Sequence, residues 1–165
     1  MNITKRTAIV AGILAIAFSG TVRASSGSND LAAGKYCAVK LFTAAHGKNP
    51  QMLFIMSKKF VDYNHIMTTA AAINGDTLTS QNKVAYQKGM VDFAKHTLPQ
   101  LASKLQRVPQ VTSVTAHGNA LTISDGSDMQ LVVNKDSCRI IDAKSAMMGT
   151  LTGTVAKLIK DNNFS

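Results

Sequence analysis

Apolar positions recur every three or four residues up to about residue 105 and roughly every two residues after it, so the chain has a helical part followed by a strand part. In 31–45, Leu31, Ala38, Leu41, Phe42 and Ala45 fall near helical spacing, and "HGKNP" ends the segment. "QMLFIMSKKF" predicts a second short apolar helix, and 61–73 a third that stops at Asn74-Gly75. The longest pattern is "LTSQNKVAYQKGMVDFAKHTLPQLASKLQ", which Thr79 or Ser80 caps by offering a side-chain oxygen to an orphan backbone N–H. Val84, Val91, Ala94, Leu98, Leu101 and Leu105 line one face of it, and Pro99 kinks or restarts it.

From Val108 the pattern alternates. "QVTSVTA", "NALTIS", "MQLVVN" and "CRIIDA" are short runs rich in Val, Ile, Leu and Thr, separated by the turn sequences "HG", "DGSD" and "NKDS". Four antiparallel strands in a meander follow, with Leu121 and Ile123, then Met129, Leu131 and Val133, then Cys138 and Ile140 on the apolar face. Leu151, Val155, Leu158 and Ile159 form one face of a closing helix. The expected class is α+β, with helices packed on one face of a curved four-stranded antiparallel sheet.

The N-terminus stands apart from this pattern. Lys5 and Arg6 precede the twelve-residue run "TAIVAGILAIAF", and Val22-Arg23-Ala24 fits a cleavage site before Ser25. A helix that spans a bilayer needs about 20 apolar residues. Residues 1–24 are therefore expected to be a signal peptide, leaving 25–165 as a single secreted domain. The leader carries three of the basic residues and no acid, so the net charge of +9 falls to +6 without it; all nine acids are Asp. The lysines are scattered, without an Arg-rich stripe or interleaved aromatics, which excludes a nucleic-acid reading and leaves solvation and contact with anionic membranes. Cys37 and Cys138 are the two cysteines; in an oxidising compartment an even pair usually bridges, and two buried free thiols are the alternative. No His or Cys lies at metal-ligand spacing around either.

Candidate chemistry is sparse. No nucleophile-elbow or zinc-protease motif occurs. Asp92 and His96 share a helical face and would serve as an acid/base pair, or as a solvated surface pair. Asp62, Tyr63 and His65 fit a helix start; His46 and His117 fall in exposed turns. Asp142 ends an apolar strand, where it pairs with a lysine, caps the next turn or, in an enzyme, acts as a base. Methionine is plentiful, eight in all, and suits a pliable apolar lining between helices and sheet.

The segment from Val61 to Leu105 resembles the MlaC/toluene-tolerance family of periplasmic phospholipid carriers. The match falls on Val61-Asp62-Tyr63, on Thr79 to Gln81 and on Tyr86 to Leu105. "RIIDAKSAMMGTLTGTVAKLIKDNNFS" is similar to that family's last strand, small-residue turn and final helix, with Asp142 on the strand-terminal aspartate and Asp161-Asn162-Asn163-Phe164 on the ending. The chain departs from the pattern at Cys138-Arg139, where the family has a Trp, and at Lys144-Ser145-Ala146, where it often has Glu-Gly.

The resemblance implies a cone-shaped monomer whose cavity carries phospholipid between an outer-membrane lipoprotein/porin complex and an inner-membrane ABC transporter, with no catalytic residue, cofactor or metal. Acyl chains need a deep apolar sleeve, since each buried CH₂ is worth about 0.8 kcal/mol. The expected lining is Val84, Met90, Val91 and Leu98 from the long helix, Leu121, Ile123, Leu131, Val133 and Ile140 from the strands, and Met147, Met148 and Leu151 from the final join. Alternatives are a carrier of another amphipathic lipid such as a hopanoid, a small secreted enzyme using Asp142 or Asp92 with His96, and a secreted interaction module with a solid core.

Overall fold

A computed structural model describes residues 27–104, 110–146 and 149–162, with the backbone alone for residue 50 and residues 96–104. The expected signal peptide, Leu105, Met147 and Met148 lie outside the described residues, as do the side chains of His96, Leu98 and Leu101. The order is α1 (Ser28–Ala45), α2 (Pro50–Phe60), α3 (Tyr63–Ile73), α4 (Lys83–Lys104), β1 (Ser113–His117), β2 (Ala120–Ser124), β3 (Gln130–Asn134), β4 (Ile140–Ser145), β5 (Gly149–Thr150) and α5 (Leu151–Asn162). The class is α+β.

Local chemistry sets most boundaries. α2 begins at Pro50, whose fixed φ suits a first helical position, and the Asn49 side chain accepts the Met52 N–H at 2.8 Å. Asp62 does the same for α3, accepting the His65 N–H at 3.1 Å, which moves the start of α3 two residues later than the periodicity indicates. Thr79 and Asn82 cap each other's backbone: the Asn82 side chain accepts the Thr79 N–H at 2.8 Å, and Thr79 Oγ1 accepts the Asn82 N–H at 3.4 Å. That reciprocal turn occupies the expected cap and holds α4 back to Lys83. α4 then runs to Lys104 without the restart expected at Pro99.

The sheet is an antiparallel meander in the order β1-β2-β3-β4-β5. It has five strands, because Gly149 and Thr150 pair with Ser145 and Lys144 and turn the expected strand-to-helix join into a tight hairpin. Gly149 takes φ +69°, a left-handed conformation that glycine adopts without a steric penalty. The register sets Leu121 opposite Val133, Ile123 opposite Leu131, and Val133 opposite Ile140. Simple alternation breaks between Val132 and Val133, where β4 carries one extra residue, Ile141, and Val132, Val133 and Ile141 are all buried.

Apolar side chains form two clusters. One joins Cys37, Ala38 and Leu41 of α1 to Val114, Leu121, Ile123 and Val133 of the sheet and to Cys138 of the β3–β4 turn. The other joins Ile66, Met67 and Ala70 of α3 to Tyr86 and Met90 of α4 and Val155, Ala156 and Ile159 of α5. Among the described residues, Phe60 and Ile140 pack against both.

α1 is fastened to the β3–β4 turn along one side. Cys37 and Cys138 form a disulfide with Cα atoms 5.0 Å apart. Asp30 pairs with Lys135 at 2.8 Å, and Lys40 donates to the Ser137 carbonyl at 3.3 Å. A bridge closing 101 residues is worth about 4–5 kcal/mol in the chain-entropy account.

The α1–β1 contact is close enough to require glycine. A Cβ on Gly34 would sit 3.0 Å from Val114 Cγ1 and nearer still to Cγ2, and Val114 is fully buried on a strand. Gly34→Ala gains about 1 kcal/mol of helix propensity but overpacks a site where such changes cost about 1–3 kcal/mol. We expect a net loss of up to about 2 kcal/mol in urea unfolding, largely relieved when Val114→Ala is added; a more stable Gly34→Ala would refute the close contact.

Candidate functional site

The junction between α2 and α3 is the polar centre of the molecule. Phe60 ends α2, Val61 pairs with Ile140 as an isolated parallel bridge, and the Asp62 N–H donates to the Ile140 carbonyl at 2.8 Å. Arg139, one residue before β4, donates from one terminal nitrogen to the Val61 carbonyl at 2.8 Å and to the Lys58 carbonyl at 3.3 Å. Its other terminal nitrogen lies 3.9 Å from the Asp62 carboxylate. The guanidinium thus meets orphan carbonyls at the end of α2 and the carboxylate at the start of α3, complementing both helix termini.

Beside it, Ser57 is buried and donates its hydroxyl to the Phe54 carbonyl at 2.6 Å, leaving its oxygen to accept from the Tyr63 hydroxyl. Burial raises the Tyr63 pKa above the usual 10.0. Tyr86, also buried, donates to Asp76 at 3.0 Å, and its pKa is likewise raised, chiefly by burial. Asn74 donates to the Ala156 carbonyl at 3.0 Å, tying the end of α3 to α5.

Asp142 takes the capping role. Its Oδ1 accepts the Thr152 N–H at 3.1 Å and its Oδ2 accepts the Thr152 hydroxyl at 3.3 Å, while Thr150 Oγ1 accepts the Gly153 N–H at 3.1 Å. Two side chains therefore satisfy the first orphan donors of α5. Asp92 is half-buried on α4. His46 and His117 are exposed. Among the described residues no group of His, Cys, Asp or Glu is arranged to hold a metal ion, and no helix is long and apolar enough to cross a membrane.

The expected lining residues do not share one wall. Leu121, Ile123 and Val133 are packed in the α1–sheet cluster, with Leu131 partly buried against it. Met90 lies in the α3–α4–α5 cluster, with Leu151 partly buried against it. Among the described residues of the expected set, Ile140 alone touches both clusters. Val84 and Val91 are exposed, against the inward face assigned to them. The reason is rotational: Tyr86, Met90 and Ala94 at helical spacing carry the buried stripe of α4, and Gly89 lets α5 approach, since a Cβ there would lie 2.6 Å from Ile159 Cγ1. Counting Tyr86 as polar hides that stripe in the sequence. Phe60 was also missed, although an aromatic directly before Val61-Asp62 marks the point where two helices meet.

Two of the best-formed hollows are shallow and open, each about 380 Å³. One lies between α3 and the turn before α4, lined by Asn64, Thr68, Leu78 and Lys83 among others. The other runs along α4 past Val84, Lys88, Val91 and Lys95. Small-molecule sites span about 300–1,000 Å³ and are well enclosed, so these are surface features.

No family model, curated protein or solved structure matches the chain.

Asp142→Ala removes an acceptor for two groups of the first turn of α5. Lost caps cost about 0.5–2 kcal/mol, and we expect a loss in that range by denaturant unfolding, with Asp142→Asn retaining part of it. An unchanged midpoint for Asp142→Ala would assign the first turn to Thr150 alone. Alkaline pH tests the buried tyrosines. With folded pKa values above 10.0, they contribute fully to stability below that pH. Above it the unfolded chain ionises first, so stability falls, and Tyr86→Phe should show a shallower decline of unfolding free energy than the parent.

Proposed function

We propose that the protein is an exported carrier of an amphipathic lipid, with phospholipid as the leading cargo, serving as the periplasmic component of an ABC-type lipid transport system. The MlaC-like pattern at Val61-Asp62-Tyr63, Thr79 to Gln81 and Asp142 motivates this reading, and the mature protein would work as a monomer between outer- and inner-membrane partners. The Cys37–Cys138 bridge supports export, because such bonds persist in oxidising compartments.

The observation that carries the proposal is the division of the apolar interior into two clusters joined, among the described residues, through Phe60 and Ile140. A solid single core would have to be broken to admit an acyl chain. Here an acyl chain would enter by parting the α3–α4–α5 group from the α1–sheet group where Phe60 and Ile140 touch both, so it would exchange one apolar neighbour for another.

Native mass spectrometry of protein purified from its own envelope, followed by lipid extraction, is the test. A phospholipid bound at about one per chain is expected. A hopanoid in its place would change the cargo and keep the carrier, while a uniformly lipid-free protein that also fails to take up phospholipid from vesicles would overturn the proposal.

A further inference from the structure

The outer side of α4 carries exposed valines and lysines in regular alternation. Val84, Lys88, Val91 and Lys95 fall at i, i+4, i+7 and i+11, which places them in one stripe along the helix. Val84 is 55% exposed and Val91 39%, and both lysines are exposed beside them. With Gln87 and Asp92 they line the shallow hollow of about 380 Å³. The opposite side of the helix is committed to the core through Tyr86, Met90 and Ala94, so the stripe cannot rotate inward without losing those contacts. α2, which packs against α4, also shows Met52 at 42% and Ile55 at 61% exposure, followed by exposed Lys58 and Lys59.

We infer that this stripe is the surface by which the protein settles on an anionic lipid headgroup layer. Stable attachment to a membrane surface requires two weak signals together, shallow apolar insertion and attraction of basic side chains to anionic headgroups. The stripe supplies both, alternating them turn by turn. Cores of protein–protein interfaces are depleted in lysine, and a second copy of the chain would set lysine against lysine. The net positive charge, +9 for the whole sequence and +6 without the expected leader, acts in the same sense at longer range. Asp92 is the single acid in the stripe and is half-buried. The inference goes beyond the carrier reading and does not need it, since a protein that carries no lipid could still bind a membrane surface.

Co-sedimentation with phosphatidylcholine vesicles, with and without phosphatidylglycerol, tests it. Binding should require phosphatidylglycerol and disappear in high salt. Each lysine at such a surface is worth about 5-fold, so Lys88→Gln with Lys95→Gln should weaken binding about 25-fold. Val84→Ser with Val91→Ser should weaken it as well, and unchanged thermal midpoints would show both variants folded. Equal binding to neutral vesicles, no binding at all, or binding indifferent to the lysine pair would overturn the inference. Dimerisation in sedimentation velocity that the valine pair abolishes, without vesicle binding, would overturn it in favour of a second copy. A lipid-free preparation that still binds vesicles would leave this surface standing while removing the carrier.

Discussion

The structure depends on one short crossing. Two residues between α2 and α3 lie against the first residue of β4, held by a backbone hydrogen bond from Asp62 to Ile140 and by the Arg139 guanidinium on the Val61 and Lys58 carbonyls. Everything helical after α2 is positioned from this point, because α3 starts there and packs with α4 and α5. The sheet is anchored from the same point through β4. A buried backbone group left unpaired costs about as much as a lost hydrogen bond, so slippage by one residue at the crossing would orphan several groups at once. That discrete choice fixes how the two apolar clusters face each other, and it sets Phe60 and Ile140 where both can touch them.

The two clusters are stabilised by different means. The α1–sheet group is small but covalently closed, and it has the Asp30–Lys135 pair and the close approach at Gly34 in addition. The ion pair is partly exposed and contributes under about 1 kcal/mol. The α3–α4–α5 group relies on shape, with Ala70, Ala71 and Ala156 allowing helices to approach and Tyr86 filling the space between them. Its polar ties run from Asn74 at the end of α3 to Ala156 in the middle of α5, and from Tyr86 in the first turn of α4 to Asp76 in the loop before it. The first group therefore resists deformation more than the second, which has small interlocking surfaces and no cross-link.

Much of the fold was legible because periodicity is a physical signature of burial. The helices and the four main strands follow their apolar spacing, and the α+β class follows from the change of period. Boundaries were less legible, since they rest on single side chains: Asp62 and Asn82 each delay a helix that the apolar pattern would start earlier. The fifth strand has two residues and is created by pairing, so it leaves almost no pattern. The bulge at Ile141 likewise comes from the tertiary fit. The candidate site was read least well. Valine at positions 84 and 91 scores as core in any apolar count, and only the competing claim of Tyr86, Met90 and Ala94 shows that α4 turns those valines outward. Arg139 looked like a departure from a familial pattern and turned out to join two helices to the sheet. Capping was one of three roles open to Asp142, beside a lysine pair and a base, and only the Thr152 N–H and hydroxyl aimed at its carboxylate decide between them.

The fastening of α1 to the β3–β4 turn also constrains how the protein comes into being. The two cysteines are separated by 101 residues, so the apolar side of α1 emerges long before the residues that cover it. During synthesis, Ala38 and Leu41 have no native neighbour in the sheet until β1 to β3 have followed. Contacts of such long range make folding slow and leave sticky intermediates for some time. Cys138 itself follows β1 to β3 in the chain, so the bridge that fastens α1 can close only after most of the sheet has been synthesised.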